Sequence, residues 1–165
     1  MRLREDSVMR RRGTMLWLAL LVPGPAACTD GGPELENHVE RLAEHRGLWQ
    51  STRPAAYTYA VERLCYCLLP GPVRVIVREG AATERVYVET GDPVPQELAD
   101  LYPTVDGLFD LLAQAFGSGA HEVDVSYDPT TGVPVDFWID YEENVADEEL
   151  GMRVVELVRP ADPDA

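Results

Sequence analysis

Val73 to Arg78 reads VRVIVR and Glu84 to Glu89 reads ERVYVE, with Gly80 between them. A period of two puts Val73, Val75 and Val77 on one face of an extended chain and Arg74 and Arg78 on the other. Strands with one apolar and one charged face belong in an antiparallel sheet that is covered on one side. Tyr57 to Leu68 extends the pattern upstream: Tyr57, Tyr59 and Val61 share a phase, and Cys65 and Cys67 continue it. Pro70-Gly71-Pro72 turns the chain, so the three segments predict an antiparallel meander with one buried face.

Helical spacing flanks this meander. Glu34 to Trp49 follows Pro33, carries acids in its first turn, and places Leu35, Val39, Leu42 and Trp49 on one stripe. Further on, the GDPVPQELADLYP segment reads as a linker with a turn of helix at Gln96 to Leu101. Thr104 is a good N-cap with Asp106 in the first turn. Val105, Leu108, Phe109, Leu111, Leu112, Ala115 and Phe116 form a broad apolar stripe that Gly117 is expected to end. Strands are predicted at Glu122 to Tyr127, Pro134 to Ile139 and Met152 to Val158. The expected class is α+β: two helices packed on a mainly antiparallel sheet, as two successive helix-plus-three-strand halves. No residue-level repeat decides between an internal duplication and coincidence.

The N-terminus reads differently. Arg10, Arg11 and Arg12 precede an apolar run, Met15 to Val22, and then VPGPAAC ending at Cys28. A basic stretch, a short apolar run and small residues make a secretory signal peptide. The run is far shorter than the roughly 20 residues that span a bilayer. Ala26-Ala27-Cys28 resembles a bacterial lipobox, with Pro25 where an aliphatic residue usually stands; the resemblance implies diacylation of Cys28. Ordinary cleavage and secretion is the rival reading. The expected organisation is residues 1–27 as signal peptide, 28–33 as lipidated tether, 34–158 as one α+β domain, and 159–165 as a disordered tail.

Charge excludes one class of partner. Loss of residues 1–27 removes five arginines and two acids, leaving nine basic and 27 acidic residues, net −18, with no lysine anywhere. Such a chain repels phosphate backbones, so nucleic acid is not an expected partner.

The chain has three cysteines. If Cys28 is lipidated, Cys65 and Cys67 remain as an even pair in an oxidising compartment. On a regular strand, residues i and i+2 lie about 6.5–7 Å apart, whereas a disulfide wants Cβ atoms roughly 3.5–4.5 Å apart. The two can bond only where the strand bulges or kinks. Loop-closure entropy gives about 1.6 kcal/mol for a three-residue loop, which strain could cancel. Three readings follow: a local disulfide fixing a bulge, two buried reduced thiols acting as small apolar residues, or a redox or soft-metal role.

Other segments read as architecture. In YDPTTGVP, Asp128 can bond its own turn, Pro129 presets φ and Gly132 supplies a positive φ. IDYEENVADEEL carries six acids; Asp140, Asn144, Asp147 and Glu148 are weak calcium candidates beside the plainer reading of a solvated acidic loop. His38 and His45 share a helix face two turns apart and read as surface histidines. Ser118 lacks a nucleophile-elbow frame, and no phosphate loop or dinucleotide fingerprint is present. No cofactor is expected.

Trp49, Tyr57-Thr58-Tyr59, Cys65-Tyr66-Cys67, Thr104-Val105-Asp106, Tyr127-Asp128-Pro129 through Gly132-Val133-Pro134, then Asp140 and Asp147-Glu148-Glu149 recur in that order. Together they resemble a family of uncharacterised bacterial secreted proteins and lipoproteins, a domain of unknown function. The resemblance spans Trp49 to Val158, with Glu148 where a second aspartate is usual. It implies an extracytoplasmic location and one compact domain, and brings no activity. The expectation is a membrane-anchored, non-enzymatic binding or envelope-support domain, with a protein partner possible. The alternative is a thiol-redox or metal-binding protein using Cys65 and Cys67.

Overall fold

The structure is a computed structural model and describes residues 33–65, 69, 71–145 and 147–160. Helix α1 covers Pro33–Thr52 and is followed by β1 (Ala56–Leu64), β2 (Val73–Arg78) and β3 (Ala81–Tyr87). A 3-10 helix at Gln96–Leu101 leads into helix α2 (Val105–Ser118), then β4 (Glu122–Tyr127), β5 (Pro134–Asp140) and β6 (Leu150–Pro160). The expected α+β class is what forms. All six strands join one antiparallel sheet in the order β3-β2-β1-β6-β5-β4.

The first and last strands therefore meet at the centre, and each half contributes one three-stranded meander. Arg46 of α1 pairs with Asp110 of α2, and rings from both helices pack on one another or on the sheet. The helices thus lie side by side on one face. A two-fold repeat with both helices on that face would bring equivalent strands together at the centre. A translational repeat would make the central pair parallel. The antiparallel β1–β6 pair fits neither, so the halves are not related by symmetry.

Alternation decides which face is covered. Tyr57, Tyr59 and Val61 stand opposite Val77, Val75 and Val73, and all six are buried. Phe137 opposite Met152 and Ile139 opposite Leu150 extend the same layer. Helix α2 seals it with Val105, Leu108, Phe109, Leu112, Ala115 and Phe116. Thr104 accepts from the Gly107 amide at 3.2 Å, as an N-cap should. The open face is charged: Arg74 donates to both carboxylate oxygens of Glu156 at 3.0 Å above the buried Ala60, and Arg153 pairs with Asp136.

Several expectations shift. Helix α2 passes Gly117 and ends at Ser118, with Gly119 as its left-handed cap. Strand β6 runs to Pro160, so Arg159 and Pro160 belong to the sheet and not to a tail. On α1, Val39 is 47% exposed. The packing stripe there is His38, Leu42, His45 and Trp49, at spacings of four, three and four. His38 meets the Phe116 ring at 5.5 Å, and His45 stacks on Tyr127 at 4.0 Å. The two histidines are packed groups, because each imidazole meets an aromatic ring there.

The YDPTTGVP segment makes its expected turn. Asp128 accepts from the Thr130 amide at 3.1 Å and from the Thr131 amide and hydroxyl at 2.7 Å. Those bonds hold its carboxyl below the ordinary range. Gly132 does more than turn. At φ 79°, an added Cβ would also fall 2.2 Å from the His45 carbonyl oxygen. The β4–β5 turn lies directly against the α1 backbone.

Candidate functional site

Strand β1 has a cleft at each end. At its start, Gln50, Arg53, Pro54, Ala55, Tyr57, Glu79 and Gly80 line a hollow of about 390 Å³. Two of its polar groups are already engaged. Arg53 pairs with Asp106 at 2.7 Å, and the Tyr57 hydroxyl accepts from the Val105 amide at 3.2 Å.

At the other end, Arg63, Leu64, Cys65 and Trp138 line a cleft of about 300 Å³, the lower end of the range for small-molecule sites. Its floor follows from the register. Leu64, Gly151 and Trp138 form one row across β1, β6 and β5 on the open face. Gly151 is required there, since an added Cβ would fall 2.7 Å from Trp138 Cε3 and 2.9 Å from Leu64 Cβ. The indole lies over the glycine and remains 39% exposed, a large aromatic surface left to solvent.

Arg63 is unusual among the nine arginines that follow residue 27. Six others donate to a named acceptor, and Arg78 has a partner too. Arg41 lacks an ion pair but is exposed. Arg63 is half-buried, and among the described residues no carboxylate or hydrogen-bond acceptor meets it. Burial lowers its pKa, while the Tyr102 and Tyr141 phenols oppose that shift from within electrostatic reach. Tyr102 is fully buried, and its hydroxyl has no hydrogen-bond partner. Burial raises the Tyr102 phenol, with Tyr87 adding to the shift and Arg63 opposing it. Tyr141 is likewise raised by burial and then by Glu148.

The cysteine expectation meets this cleft. Strand β1 stops at Leu64, and Cys65 starts a bend beyond it. The expected strand to Leu68, with the cysteines inside it, is therefore corrected. A regular strand cannot hold a Cys-x-Cys disulfide, so a strand end suits the motif better. Cys65 is disulfide-bonded and half-buried. Cys67 and Cys28 lie outside the described residues.

The acidic loop folds onto itself. The Glu148 carboxylate accepts from the Tyr141 amide at 3.1 Å and the Glu142 amide at 2.8 Å, and Asp140 accepts from Glu142 at 3.1 Å. Asp147 sits at φ 78°, and its amide donates to Glu149. Asn144 is exposed. Among the described residues no group of three His, Cys, Asp or Glu side chains is placed to hold a metal ion. Ser118 donates to the Ala115 carbonyl. No described helix is long and apolar enough to cross a membrane.

Sequence reasoning missed Arg63, with Tyr102 within its electrostatic reach, and Trp138 in the row across Gly151. Their one signal was an arginine on the apolar phase of β1, in line with Tyr57, Tyr59 and Val61.

A single six-stranded sheet with two helices on one face, and a cleft where its central strand ends, defines a small α+β domain. Over residues 41–159 the chain matches a family of unknown function, DUF6174, and it belongs to that family. No curated protein and no solved structure matches it.

Proposed function

We propose that this chain is a lipid-tethered extracytoplasmic binding domain of a bacterial envelope, held by Cys28 and without a catalytic role. The observation that carries the binding reading is the cleft beside Cys65, which the half-buried Arg63, Leu64 and the exposed Trp138 also line. Apolar lining with a few convergent polar groups is how small-ligand sites are built. The tether rests on the basic stretch, the apolar run and the lipobox-like AAC ending at Cys28. Two acyl chains on one cysteine would anchor stably.

Intact mass from a secreting bacterial host, with and without reduction and alkylation, tests the tether. The expected mass starts at Cys28 with a diacylglyceryl group, and two thiols become alkylatable only after reduction. A lipid-free mass, or thiols open from the start, overturns the anchor or the Cys65–Cys67 pair respectively. Crosslinking at the envelope then tests for a partner.

A second reading is favoured by the disulfide at Cys65 on the wall of the same cleft. A Cys65–Cys67 disulfide could oxidise a substrate dithiol, taking two electrons and two protons as its own bond opens. A wild-type protein that oxidises a dithiol test peptide to its disulfide, and a Cys67→Ser variant that does not, would establish it. Equal inactivity of both removes it.

A further inference from the structure

The sheet has two edges, and the chain treats them differently. Along β3 the segment that follows it folds back. Val86 bridges to Pro93, the Tyr87 amide donates to the Asp92 carbonyl at 2.9 Å, and the Val94 amide donates to the Arg85 carbonyl at 2.9 Å. Strand β4 forms the other edge, and among the described residues nothing pairs with its outer side. The His121 amide donates to the Tyr141 carbonyl at 3.3 Å, which fixes the alternation. Val123 and Val125 turn their backbone groups to β5, whereas Glu122, Asp124 and Ser126 turn theirs outward. All three outward residues are exposed, and they present amides and carbonyls along about 13 Å of extended chain.

We propose that the outer edge of β4 receives an extended cationic segment of a partner protein, which joins the sheet as an added antiparallel strand. Strand addition draws affinity from main-chain bonds and selectivity from alternate side chains. The selecting side chains are Glu122 and Asp124. Both stand on the open face of the sheet, and neither makes an ion pair among the described residues. A residue opposite Asp124 on the new strand lies beside that carboxylate, so lysine or arginine is favoured there and an acid is not. On the covered face the neighbour of the new strand is Val123, partly buried against the core, which suits a small apolar residue. The segment thus alternates basic and apolar residues. Charge also opposes a second copy as the occupant. Two β4 strands paired about their centre would set Asp124 against Asp124, in chains of net −18 beyond residue 27. The assignment rests on the binding reading above and gives it a partner class, through β4 residues that do not line the cleft beside Cys65.

The test uses full-length protein from a secreting host and the heptapeptide Arg-Val-Arg-Val-Arg-Val-Arg, followed through the backbone amide resonances of β4. Saturation should shift the Glu122, Asp124 and Ser126 amides and slow their hydrogen exchange. Val123 and Val125, already bonded to β5, should change little. Methylating the arginine amides of the peptide removes the donors aimed at β4 and should weaken binding at least about tenfold. Methylating its valine amides, which point away from β4, should change binding by less than about twofold. A block peptide of the same composition, all arginines and then all valines, should bind more weakly. Glu122→Gln and Asp124→Asn, both at exposed positions, should each weaken binding about threefold.

Equal affinity for the alternating and the block peptide, indifference to methylation of the arginine amides, or no saturation overturns the proposal. An alternating serine–valine peptide that binds as tightly overturns the cationic assignment. A concentration-dependent dimer that protects the same amides overturns the choice of occupant in favour of a second copy. Crosslinking to an envelope partner that persists undiminished in a Glu122→Gln, Asp124→Asn double variant would leave the binding reading standing while removing this edge as its site.

Discussion

Residues 102–105 run along β1 and meet its two ends under opposite conditions. At the start of the strand, the Tyr57 hydroxyl accepts from the Val105 amide and the Tyr59 hydroxyl donates to the Pro103 carbonyl. Trp49 packs edge-on against Tyr57 at 5.1 Å, and Arg53 reaches Asp106. At the far end, Tyr102 and Arg63 are desolvated to a similar purpose, yet their protons go unaccepted. The first arrangement satisfies both tyrosine hydroxyls, as a stable core selects, although the buried Trp49 Nε1 has no acceptor among the described residues. The second leaves a guanidinium and a phenol without an acceptor among the described residues, which lowers stability without gaining a contact.

That contrast can be broken at several points. The largest effect is expected at Gly132, whose replacement by alanine adds backbone strain at positive φ and a clash with the His45 carbonyl. Gly132→Ala should cost about 3–5 kcal/mol in denaturant unfolding, because α1 must lift away from Tyr57 and its neighbours. Tyr59→Phe comes next. It leaves the half-buried Pro103 carbonyl without its donor and should cost about 1–2 kcal/mol.

Alkaline pH probes the covered face as a whole. Burial pushes Tyr57 and Tyr127 up to about 12 and Tyr59 well above its ordinary value. In the unfolded chain these phenols titrate near about 10. The folded state thus favours the neutral phenol: this contribution is fully present below about pH 10 and is lost as pH rises through about 12. Tyrosinate absorbance should show these residues ionising only together with unfolding. A smooth titration of all tyrosines in the native protein near pH 10 would contradict the burial.

The smallest effects sharpen the comparison most. Tyr102→Phe removes a hydroxyl that bonds nothing, so stability should change by less than about 0.5 kcal/mol or rise. Arg63→Met should be neutral or stabilising, since it replaces an unpaired desolvated charge with an apolar side chain of similar reach. If Tyr102→Phe proves as costly as Tyr59→Phe, the two ends of β1 do not differ as described.

Much of the fold was legible because alternation is a local signal. VRVIVR forms β2 as read, with Val73, Val75 and Val77 buried and Arg74 and Arg78 on the other face. Thr104 caps α2 for the same reason, since its partner amide lies three residues on. The α1 stripe was misread because periodicity was sought among aliphatic residues. His38 and His45 occupy core-facing positions opposite Phe116 and Tyr127, which no local window contains. The site was the least legible part. Arg63 lies on one side of a 39-residue gap from Tyr102, and Trp138 approaches through a strand pairing that passes over Gly151. The β1–β6 and β5–β6 pairings bring the end of β1 and Trp138 to one place.

That pairing also bears on when the chain can finish folding. During synthesis β1 is the first of the six strands to emerge, yet its partner β6 is the last of them. Until then β1 keeps an unpaired edge, and the two meanders have no shared strand. A chain built in this order cannot close its sheet until the sixth strand has emerged and found the first.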